Sequence, residues 1–136
     1  MLDNAQQILA GAVLLSMIGI AYGGTFLLQV SRGSVPANEL QQRFYRAGHA
    51  HAGVLVILGL LVLLLTRLND VAGLWQTLSS GVLLAAILMP AGFFLSVLGR
   101  DPQRPGKLIA LLWAGAASLV VGLGSAGFGL ILAGAR

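Results

Sequence analysis

Long apolar runs separated by short polar clusters set the pattern of this chain. Four runs stand out: 8–30, 48–66, 74–98 and 108–133. Each is at or close to the ~20 residues that an α-helix needs to cross the ~30 Å hydrocarbon layer of a bilayer. The clusters between them, SRGSVPAN, TRLNDVAG and GRDPQRPGK, hold the Gly, Pro, Asn and Asp that favour turns. Lipid offers no partner for unpaired backbone, so the runs read as helices rather than strands. The expected fold is all-α: a single-domain, integral membrane four-helix bundle with loops over 31–47 and 99–107.

Finer patterning refines this layout. In the first loop Pro36 suits a first helical turn, and Glu39 precedes Arg43 by four residues, the favourable helical order. PANELQQRFYRAG therefore reads as an extension of the second helix or as a short surface helix, with Gly48 at the junction. Pro90 is expected to kink the third helix, freeing the carbonyl of Ala86 as a structural feature or as part of a cavity wall. Small residues recur at steps of four: Gly19 and Gly23, Gly81 and Ala85, and Ala114, Ser118, Gly122 and Ala126. Such faces let helices approach closely in lipid, within one chain or across a dimer. GTFLLQVSR (24–32) also aligns without gaps to GFFLSVLGR (92–100), and Gly59 matches Gly127 at the same offset. Two parallel-repeat helical hairpins would produce this, and so would chance in Leu- and Gly-rich sequence.

Composition agrees with a lipid environment. Hydrophobic residues make up 57% of the chain and charged residues 9%, with a mean hydropathy of +0.91. A soluble surface needs far more charge. The absence of cysteine excludes disulfides, thiolate nucleophiles and Cys-ligated metal centres. The start carries Asp3 and no Lys or Arg near the apolar run, so the first helix is expected to be retained rather than cleaved as a leader. The net charge of +4 lies mainly in two loop regions, as Arg32, Arg43 and Arg46 and as Arg100, Arg104 and Lys107. Arg67 and Arg136 fall on the other side. The positive-inside rule then puts loops one and three in the cytoplasm and both termini outside a bacterial inner membrane. Lipid, not nucleic acid, is the expected partner of these charges.

The chemistry that remains centres on the two histidines, in RAGHAHAG. Positions two apart on a helix point about 200° apart, so His49 and His51 cannot share one metal ion. No third histidine exists to complete a zinc site. His51 continues the apolar stripe Leu40, Phe44, Ala47, Leu55 and Leu58, and is expected to face the bundle. His49 sits on the more polar side, toward headgroups. Tyr22, Thr25 and Gln29 share one face of the first helix at similar depth. With His51 they are expected to line a cytoplasm-facing pocket, because polar groups in membrane helices usually face the interior. Three occupants remain open: a quinone or lipid headgroup bonded by His51, Gln29 and Tyr22; haem b with His51 or His49 as axial ligand; or none. Met17 and Met89 are expected to lie deeper than the histidines; without one of them as second ligand, haem would have one protein ligand or bridge two subunits.

The run GHAHAGVLVILGL resembles that of small uncharacterised four-helix bacterial membrane proteins with a GHAHAG-type motif. That resemblance covers most of the chain and implies the same four spans. More distantly, the run is similar to the H-x-H helices of haem-copper-oxidase-like membrane families, where one H-x-H serves two cofactors because its side chains point apart. This second resemblance covers one helix and would carry a haem-ligand role onto His49 or His51. No nucleophile–base pair, paired carboxylates or phosphate loop is present, so no catalytic residue is identified. The leading expectation is an accessory or binding subunit with a pocket for an amphipathic ligand, working in a larger membrane complex or homo-oligomer. A haem-binding redox protein is the alternative. A small transporter ranks third, because the outer half of the spans offers little beyond Thr77, Ser79, Ser80 and Ser125.

Overall fold

The computed structural model describes residues 2–135. It is all-helical among these residues, and four of its helical stretches are long and apolar enough to cross a membrane. Helix α1 runs Asn4–Ser31 and α2 Glu39–Leu68. The third span is divided into α3 (Gly73–Ser79) and α4 (Gly81–Leu95), and α5 covers Ile109–Gly134. The chain is a four-helix bundle of membrane-spanning length.

The second helix is one continuous rod through Gly48, so the loop-one segment is its extension. Its start lies beyond Pro36. Asn38 caps it, accepting from the Gln41 backbone while the Gln41 side chain accepts from the Asn38 backbone. Glu39 and Arg43 form the expected pair one turn apart. The third span is interrupted at Ser80, and Pro90 lies buried within α4. Ser79 and Ser80 donate their hydroxyls to the Gln76 and Thr77 carbonyls, both at 2.6 Å. Such back-bonding competes with the backbone ladder and often bends a helix.

Helices α2, α4 and α5 form a tight core built on glycine. Hydrophobic drive between helices vanishes in lipid, so packing depends on how closely backbones approach. A Cβ on Gly122 would stand 2.6 Å from the Val82 nitrogen, and one on Gly115 would stand 2.6 Å from Met89 Cγ. Gly92 is pressed on Leu112 and Gly59 on Leu83. Ser118 adds a hydrogen bond, donating to the Gly81 carbonyl at 2.8 Å. The working face of α5 is thus Gly115, Ser118, Gly122, Ala126 and Gly129, and the anticipated member Ala114 is exposed. On α1 the anticipated Gly19 likewise meets nothing within 4 Å.

Loops one and three meet at one end of the bundle. Asn38 Nδ2 donates to Asp101 and to the Pro102 carbonyl, and buried Gln41 donates to the carbonyls of Val97 and Gly99, both at 3.0 Å. The six cationic residues of the two loop regions therefore share one end.

Glycine contact and glycine exposure give opposite expectations. Gly122→Ala should destabilise the protein in detergent by about 1–3 kcal/mol, the usual range for overpacking. Gly124 meets nothing within 4 Å, so Gly124→Ala should be neutral or slightly stabilising. Thermal unfolding of the two variants against wild type checks both.

Candidate functional site: the cleft beside α1

Helix α1 stands apart from the core. Among the described residues its backbone approaches α2 and no other helix, and Val30 is its one buried residue. It is fastened at two ends. At the N-terminal end Arg67 donates to Gln6 Oε1 at 2.5 Å and pairs with Asp3, which caps α1 by accepting from the Gln6 backbone. At the other end Phe26 meets buried Tyr45 edge-on, with ring centroids 5.3 Å apart, and Val30 packs with Tyr45 and Val97. Tyr45 also stacks on Phe94 of α4, which ties this anchor to the core.

Between the two fastenings α1 and α4 part, leaving a cleft of about 520 Å³. Leu9, Val13, Ser16 and Ile20 of α1 form one wall, and Leu83, Ile87 and Pro90 of α4 form the other. Ala52 and Val56 of α2 make the floor. The walls are almost wholly apolar, and the volume lies in the range of small-molecule sites. A much smaller space of about 30 Å³ shares Leu9 and Leu83 with the cleft and is bordered by Gln76, Ser79 and Ser80. Ala86 and Pro90 both border the cleft.

The two histidines diverge as helical geometry requires. His51 is half-buried; its Nδ1–H donates to the Ala47 carbonyl at 2.7 Å, and its ring lies 5.0 Å from that of Phe93. His49 takes a position different from the headgroup-facing one expected. It points at α1, where a Cβ on Gly24 would lie 3.6 Å from its Nε2 and one on Gly23 3.8 Å from its Nδ1. The ring has no hydrogen bond to any described residue. His49, Ala52 and Val56 share one face of α2, and Gly23 and Gly24 follow Ile20 by about one turn. His49 therefore adjoins the end of the cleft.

The expected cluster of Tyr22, Thr25, Gln29 and His51 is not assembled. Tyr22 is 76% exposed, and Thr25 and Gln29 are exposed beside it. Thr25 satisfies itself by donating to the Tyr22 carbonyl at 2.6 Å. The physical reason is a competition between two faces of α1. The polar stripe lies opposite the Leu9, Val13, Ser16, Ile20 and Gly23/Gly24 stripe, and the small-residue side is the one that allows α2 close.

The two histidines do not supply a pair of axial ligands to one haem. His49 and His51 face different helices, and buried Met89 packs with Leu55 and Ala85 in the core. No group of three or more His, Cys, Asp or Glu gathers among the described residues. A polar groove of about 290 Å³ at the basic end, bordered by Glu39, Arg43 and Gln103, is an open surface whose polar groups bond one another. Arg43 is held by Glu39, and Asn38 by the Pro102 carbonyl. Two structurally important residues, Gln41 and Arg67, do not stand out in the sequence. The Asn38–Gln41 capping pattern is a local signal for the first; nothing local marks Arg67 as the partner of Asp3.

Fold and site together define a multi-pass helical membrane protein with a lipid-side cleft. Comparison with protein families, curated proteins and solved structures finds no match to the chain.

The fastening at Arg67 carries a pH dependence. The Asp3 carboxyl is held below its ordinary 3.8, first by the Gln6 backbone N–H, with partial burial opposing and Arg67 reinforcing. A depressed value means the contribution is complete above 3.8 and is lost as pH falls through the lower folded value. Spin labels at exposed Leu14 on α1 and Ile87 on α4 should therefore separate in strong acid, and Arg67→Gln should cause the same separation at neutral pH. Distances unchanged in both conditions would show that the pair does not hold α1.

Proposed function

We propose that this protein holds an amphipathic ligand, a quinone or a lipid, between α1 and α4 of a bacterial inner membrane, as an accessory or binding subunit of a larger membrane assembly. The observation that carries this reading is the cleft: about 520 Å³ of apolar space beside a helix that is fastened at both ends and stands off α4 between them. A helix serving purely as a structural span would gain contact by lying flat against α4. The separation preserved here favours a role for the space. The apolar walls suit a hydrocarbon tail, and the absence of a nucleophile–base pair favours binding over catalysis.

The orientation belongs to the same proposal. The shared end of loops one and three concentrates Arg32, Arg43, Arg46, Arg100, Arg104 and Lys107, which favours a cytoplasmic position for that end. A C-terminal reporter should then read as periplasmic, and a cytoplasmic reading would reverse the assignment.

The cleft itself is tested by filling it. Ala52 forms its floor, and Ala52→Phe should abolish any stoichiometric quinone or lipid found by mass analysis of gently purified protein. An unchanged complement of bound amphipath in Ala52→Phe would place the ligand elsewhere. Wild-type protein that carries none, even when purified from quinone-rich membranes, would end the binding reading.

A further inference from the structure

Resting on that reading of the cleft, we propose that His49 is the headgroup donor of the site and that the head it selects is a neutral carbonyl, as in a quinone with an apolar tail. Three observations carry this. The first is position: His49 lies on the same face of α2 as the cleft floor residues Ala52 and Val56, and its ring rests against Gly23 and Gly24. Glycine at both positions means that the ring nitrogens face α1 where it carries no side chain. The second is hydrogen bonding. His51 uses its Nδ1–H on the Ala47 carbonyl, whereas His49 has no hydrogen bond to any described residue. A ring N–H at the edge of a hydrocarbon environment favours an acceptor strongly, since water is scarce there.

The third observation is depth, and it chooses the chemistry of the head. The last cationic residue before His49 on α2 is exposed Arg46, three residues earlier, or about 4.5 Å along the axis. A phosphate headgroup would stay at the level of Arg46 and Arg32, because drawing its charge deeper is costly. A neutral carbonyl bears no such penalty and accepts one hydrogen bond from an imidazole N–H. Its tail would then run from His49 past Ile20 and Ala52 toward Leu83. The assignment concerns binding alone.

The test is equilibrium binding of a radiolabelled alkylbenzoquinone to the full chain reconstituted in phosphatidylcholine vesicles. Removing one neutral hydrogen bond with His49→Ala should weaken binding about five- to tenfold. His49→Gln retains an N–H donor and should recover most of that loss, which a merely structural histidine would not allow. Ala52→Phe should abolish binding in either background. If Ala52→Phe abolishes binding but His49→Ala leaves it unchanged, the headgroup assignment falls while the cleft stands. The headgroup assignment falls likewise if the wild type prefers phosphatidylglycerol over the benzoquinone in competition. If Ala52→Phe has no effect, the cleft reading falls, and the His49 assignment with it.

Discussion

Helices in lipid are held where their backbones can touch, and in this chain glycine decides where that is. Gly92, Gly115 and Gly122 let α4 and α5 approach until an added methyl group would collide with the facing helix, and Gly59 does the same between α2 and α4. These seams fix three helices as one body. No such seam joins α1 to α4. Its Gly11 and Gly19 meet nothing, and only Gly23 and Gly24 find a neighbour, the ring of His49. The openness of the molecule follows directly from this uneven distribution of close approach.

What α1 lacks along its length it recovers at its ends, by two different kinds of force. One end is polar, with Arg67 reaching back to Asp3 and Gln6, and the other is aromatic and apolar, with Phe26 and Val30 on Tyr45. Holding a helix at both ends while its middle stands off α4 produces a slot of apolar character. The proposed role as a ligand-holding subunit grows from that slot. The placement of His49 beside it gives one end of the slot a polar group without a described partner.

Much of the architecture is legible in the pattern of apolar runs, because helix length and turn chemistry are local properties. The start of α2 at Glu39 follows from Asn38 and Gln41, whose capping geometry is written in four consecutive residues. The break at Ser80 is less legible. Pro90 is the stronger signal in sequence, yet the interruption falls at Ser80, between α3 and α4. The site differs from its expected form for a reason of the same kind. Tyr22, Thr25 and Gln29 form a true stripe, but α1 carries a second stripe on its opposite side, and sequence alone does not say which one a neighbour will choose. The side of α1 that carries Gly23 and Gly24 is the one that receives the His49 ring, and so His49 rather than His51 faces α1. The divergence of the two histidines, by contrast, needs only helical geometry.

The most direct measurement is an experimental structure of the full chain in a lipid nanodisc, without added ligand. A ligand-holding cleft requires α1 and α4 to remain apart, with an elongated density between them whose head lies within hydrogen-bonding reach of His49. Lipid-facing side chains of α1 closed against Leu83, Ile87 and Pro90, with no space between, would contradict it.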